Sequence, residues 1–96
     1  MSDKFKLIKF QKSKTKGKKY DAIIEEKLTK RRMRIPFGAI GYEQYRDDTG
    51  LKLYTRYDHL DRERRKNYLK RHQDTIYKMY SPSWFSSVFL WAGDRE

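Results

Sequence analysis

No cysteine occurs in this 96-residue chain. That removes disulfide scaffolds, thiolate metal sites and cysteine nucleophiles together, and it suits a reducing compartment. No run approaches the ~18 consecutive apolar residues needed to span a bilayer, so a membrane is not among the expected partners. The first nine residues carry charge but lack the apolar stretch of a signal peptide. The chain therefore reads as intracellular, in cytoplasm or nucleus. Apolar residues are scarce as well, at 36% against the usual ~45–50% that includes glycine. A chain of this size forms one domain, residues 1–96, with a thin core. Acids are scarce too: thirteen Asp and Glu face twenty-four Lys and Arg, leaving a net charge of +11.

Catalytic signatures are missing in the same way. There is no GxGxxG, Walker A, HExxH or GxSxG pattern. His59 and His72 lack a partner motif, and Asp47, Asp48, Asp58 and Asp61 read as a turn and helix caps. The expectation is a non-enzymatic protein with no catalytic residue, no metal ligand and no cofactor.

What remains is aromatic and basic. Eight Tyr, five Phe and two Trp can fill a compact interior from few positions, because each ring buries a large area. The positive charge falls in two blocks. Residues 1–34 hold thirteen Lys and Arg against four acids, and residues 58–79 hold seven against four. Between them, residues 35–57 are neutral and rich in tyrosine. A domain pI near 9.9 with clustered charge is the footprint of a phosphate-polymer binder.

Phe5, Leu7, Ile8 and Phe10 sit among Lys4, Lys6 and Lys9 in an imperfect alternation, a strand with one wet face. Tyr20, Ala22, Ile23 and Ile24 resume an extended pattern after five lysines in eight residues. These segments predict an N-terminal antiparallel β-hairpin or meander whose tip is the Lys-rich loop 12–19, mobile and open to phosphate. Arg31, Arg32 and Arg34 then run into Pro36, which places that strand at an edge or ends it. Gly38 and Gly41, flanking Ala39 and Ile40, suggest a tight backbone passage. Asp47-Asp48-Thr49-Gly50 reads as a turn, and the alternation of Leu51, Leu53 and Tyr57 suggests a second hairpin or extended pair.

Asp61 is a good N-cap for a basic helix over about 61–73, whose Arg64, Arg65, Lys70 and Arg71 are expected to coat its open face. Ser81-Pro82 opens a second, aromatic helix over about 82–91, with Gly93 placed to end it. Trp84, Phe85 and Trp91 on this helix read as core or as a patch for a protein partner. The fold class expected is α+β: hairpin or meander, aromatic middle segment, two C-terminal helices.

The strings Ile35-Pro36-Phe37-Gly38-Ala39-Ile40-Gly41-Tyr42, Arg64-Arg65-Lys66-Asn67-Tyr68 … Arg71-His72 and Tyr80-Ser81-Pro82-Ser83-Trp84-Phe85-Ser86 … Leu90-Trp91 resemble a family of small uncharacterised basic proteins. That family is encoded mainly by nucleocytoplasmic large DNA viruses of protists and algae. The resemblance implies a virus-related setting, in the infected cell or the virion, and brings no assigned activity. Two functions are expected from all this. The first is sequence-independent binding of the DNA or RNA backbone through Lys12, Lys14, Lys16, Lys18, Lys19, Arg31, Arg32, Arg34, Arg64, Arg65, Lys70 and Arg71. The alternative is a minor capsid or virion protein that meets its protein neighbours through Trp84, Phe85 and Trp91.

Overall fold

A computed structural model describes residues 4–73 and 79–92. Three strands, β1 (Phe5–Lys12), β2 (Lys18–Glu26) and β3 (Arg32–Ala39), form an antiparallel sheet with β2 in the centre. Two helices follow, α1 (Arg62–Arg71) and α2 (Pro82–Phe89). The protein is α+β, as its patterning indicates.

Local chemistry explains each element. β1 turns into β2 through a lysine-rich corner in which Gly17 takes φ +85, a conformation without penalty for glycine. A register shift between Leu7 and Lys9 accommodates the imperfect alternation around Ile8. Pro36 lies in β3, an outer strand, opposite Asp21 of β2. An edge position tolerates a residue that cannot donate a ladder hydrogen bond. Asp61 accepts from the amides of Glu63 and Arg64 at the start of α1. Ser81 accepts from the amide of Trp84 at 3.1 Å, and Pro82 occupies the first turn of α2. Both helices are shorter than their sequence patterns, and the expected terminator Gly93 lies outside the described residues.

Phe10, Tyr20, Ala22, Ile24, Ile35 and Phe37 from the sheet pack against Phe85, Phe89 and Leu90 of the α2 segment. Phe37 and Phe85 stack with centroids 5.4 Å apart, and Phe10 meets Phe89 edge-on at 4.7 Å. Such pairs add ~0.5–1.5 kcal/mol each beyond the area they bury. The aromatic middle thus belongs to the core at Phe37, and Tyr54 joins it against Tyr20 at 5.3 Å.

Where the alternation of Leu51, Leu53 and Tyr57 suggested a second hairpin or extended pair, the chain forms bends and a 3-10 turn, Thr55–Tyr57. Both leucines are exposed, and the buried residue is Tyr54. The amides here are taken by side chains instead of a strand partner: Leu53 donates to the Tyr20 hydroxyl at 3.0 Å, and Asp47 donates to the Asp58 carboxylate at 3.0 Å. A buried polar network holds this irregular segment to the sheet. Tyr20 donates to Asp47, and Gln44 donates to the Tyr54 carbonyl and to Asp58 at 2.9 and 2.8 Å. The tight passage is real at Gly38, which has φ +78. A Cβ there would meet the Leu90 side chain at 2.9 Å and Lys19 Cβ at 3.3 Å.

Candidate nucleic-acid interface

Strand alternation sends Asp21 and Glu25 of β2 to the face opposite Tyr20, Ala22 and Ile24. Cations from both neighbouring strands converge on these two acids. Lys6 of β1 and Arg32 of β3 reach Glu25 at 3.7 and 3.0 Å, and Arg34 reaches Asp21 at 3.2 Å. The Arg32 hydrogen bond, with the nearby lysine charges, holds the Glu25 carboxyl below its ordinary range. Burial alone would raise Asp21, which is 0% exposed. Hydrogen bonds from Ser13, the Lys14 amide, Gln11 and Arg34 outweigh that and keep it low. Asp21 therefore organises the lysine-rich corner. Ser13 donates to it at 2.6 Å and the Lys14 amide at 3.0 Å. The tip is a turn whose first residues are bonded to Asp21.

One lysine of that tip does not face water at all. Lys19 is 1% exposed. Its Nζ donates to the Tyr42 carbonyl at 2.6 Å and to Gln44 Oε1 at 2.5 Å, over the Tyr57 ring at 5.0 Å. Burial pulls its pKa down to about 8, although Asp47 and Asp58 pull the other way. It is a structural cation, and its expected place in a phosphate-binding surface is corrected accordingly. Lys12, Lys14 and Lys16 are exposed, and Lys18 is half-buried at the start of β2.

The second basic block behaves differently. Helix α1 has no buried residue. It is fastened to the body at three places. Tyr68 stacks on Trp91 at 4.0 Å with rings nearly parallel and on His72 at 4.1 Å. Arg65 donates to the Trp91 and Ala92 carbonyls at 3.1 and 2.6 Å, just past the C-terminus of α2, where a cation is favoured. Arg64 pairs with Glu43 at 2.7 Å. Arg65 is thus an anchor and not part of the open coat expected of it. The open coat is instead Arg62, Lys66 and Lys70, spaced four residues apart and therefore in one stripe. Among the described residues none of the three, nor Arg71, has a carboxylate partner. Arg62 and Lys66 escaped the sequence reading, though their four-residue spacing with Lys70 was there to be read.

A cleft of about 510 Å³ separates the two blocks. Lys19, Gly38 and Ala39 from the sheet line one side, with Tyr42, Glu43 and Gln44. Arg64, Asn67, Tyr68 and Arg71 of α1 line the other. Ile40, beside this lining, donates its amide to the Gly17 carbonyl of the lysine-rich turn at 2.9 Å. The end of the sheet that carries the tip is therefore one wall and the basic helix is the other. Of the lining cations Lys19 is buried and Arg64 pairs with the single lining acid, Glu43, which leaves Arg71 as the one without a carboxylate among the described residues. The structure leaves Arg32 and Arg34 on the sheet's outer face and Arg31 exposed in the preceding turn.

Of the aromatic partner candidates, Phe85 is 0% exposed and is a core residue, which corrects its placement on a docking patch. Its volume is taken by Phe10, Phe37 and Tyr80. Trp84 and Trp91 are half-buried, Trp91 between Tyr68 and His59. No helix among the described residues is long and apolar enough to cross a membrane, and no group of three or more potential metal ligands occurs among them. Comparisons with protein-family models, curated proteins and solved structures find no match for this chain.

Proposed function

We propose that this protein binds nucleic acid through the phosphate backbone, without reading sequence and without catalysis. The observation that carries the reading is the exposed stripe of Arg62, Lys66 and Lys70 on the outer face of α1. Like charges four residues apart destabilise a helix by ~0.2–0.5 kcal/mol per pair, and no carboxylate among the described residues relieves them here. A phosphate strand would, releasing its condensed counterions as it does so. Arg71 beside the stripe, and Lys14 and Lys16 at the β1–β2 corner, extend the cationic surface. None of these groups sits in a geometry that selects base edges, so contacts to phosphate dominate. The virus-related setting implied by the C-terminal motif is part of the same proposal.

The test is direct. Unrelated duplexes of equal length should bind within a few-fold of one another at about 50 mM salt, and protein purified without nuclease should carry nucleic acid, read from its ultraviolet absorbance ratio. A strong preference for one duplex, or no binding to any, would overturn the reading.

A further inference from the structure

The geometry points to the cleft as a seat for one unpaired nucleotide, which makes single-stranded nucleic acid the preferred partner. This rests on the backbone-binding reading above and adds to it a place for a base. Its volume of about 510 Å³ falls within the ~300–1,000 Å³ that small-molecule clefts span. Three residues of α1, Arg64, Asn67 and Arg71, fall on one helical face and line the opening in the order cation, amide, cation. Arg71 has no ion pair, and the Asn67 amide has no hydrogen-bond partner among the described residues. Tyr42, 71% exposed, also lines the cleft. The carbonyl of that same residue is held by the buried Lys19 ammonium, so the ring stands on a fixed backbone.

The chemistry of these groups is that of a nucleotide. A guanidinium pairs bidentately with a phosphate. An amide offers both a donor and an acceptor to a base edge. An exposed tyrosine ring stacks on any base. A base within a duplex cannot enter a concave site, whereas a splayed base can. The same groups would suit a free nucleoside monophosphate, and the experiment separates the two sources.

Fluorescence anisotropy with a labelled oligothymidylate of about a dozen nucleotides supplies the measurement. Competitors are the abasic oligomer of equal length, a duplex of equal phosphate number and a nucleoside monophosphate. The oligothymidylate should bind roughly tenfold more tightly than its abasic counterpart, the scale of one stacked base. Tyr42→Ala and Asn67→Ala, both at exposed positions, should remove that difference and leave abasic and duplex affinities unchanged. Equal binding of the base-bearing and abasic oligomers would overturn the cleft assignment while leaving backbone binding intact. Displacement by the monophosphate at equal nucleotide concentration would assign the cleft to free nucleotides and overturn the strand. Failure of every polymer to bind at about 50 mM salt would overturn both readings.

Discussion

The two basic blocks of this protein carry similar residues and use them in opposite ways. In the sheet, cations meet partners: Glu25 takes Lys6 and Arg32, Asp21 takes Arg34, and Lys19 is buried on a carbonyl and an amide oxygen. On α1 the stripe of Arg62, Lys66 and Lys70 meets nothing of its own chain among the described residues. A count along the sequence makes the first block the louder one, with thirteen cations against seven. Pairing reverses the ranking. What a basic segment offers a partner is the charge left over after its own fold has used what it needs.

The largest expected effect breaks the sheet block from inside. Asp21→Ala removes the acceptor for Ser13, Gln11, Arg34 and the Lys14 amide together, and should cost about 3 kcal/mol of stability in denaturant unfolding. Were Asp21 only a surface acid, this loss would be small.

Next comes the helix. Arg62, Lys66 and Lys70→Ala should lower the salt slope of duplex binding by about 2.7, or about 40-fold over the range from 50 to 200 mM salt. The melting temperature should hold or rise slightly, because the three side chains are exposed and their mutual repulsion is removed.

The buried lysine predicts a pH effect of slightly smaller size. Lys19 has a pKa of about 8 in the fold and 10.5 as its ordinary value, so between those values the unfolded chain binds the extra proton. Stability should therefore rise with pH from about 8 to 10, by roughly 2 kcal/mol. Tyr20, pushed up to about 12 by burial and its bond to Asp47, keeps its proton when the unfolded chain loses one, so stability should fall above pH 10. Lys19→Met should flatten the rise, as urea midpoints across that range would show. The smallest change is at the tip: Lys14 and Lys16→Ala should reduce the salt slope by at most about 1.8 and leave stability unchanged.

Sheet and helix caps were legible because local rules set them. The alternation of Phe5, Leu7 and Phe10 with lysines, the turn at Gly17, Asp61 and Ser81 as caps, and Pro36 at an edge all act within a few residues. Lys19 was not legible, since its burial depends on Tyr42, Gln44 and Tyr57, brought to it by an irregular segment more than twenty residues away. The pairing of Arg34 with Asp21 likewise depends on the β2–β3 register. Residues 51–57 misled for a related reason. Their leucines alternate, but Tyr20 captures the Leu53 amide and Tyr54 takes the interior position. Arg62 and Lys66 were readable all along from their spacing with Lys70.

The most direct measurement is the salt dependence of binding to a duplex of arbitrary sequence. If Arg62, Lys66, Lys70, Arg71, Lys14 and Lys16 are the groups that meet phosphate, log K against log[salt] should be linear with a slope of about −5.4, an affinity loss of roughly 1,800-fold between 50 and 200 mM. A slope near zero, or no detectable binding at the lower salt, would contradict backbone recognition and leave the free cations of α1 to an acidic protein partner.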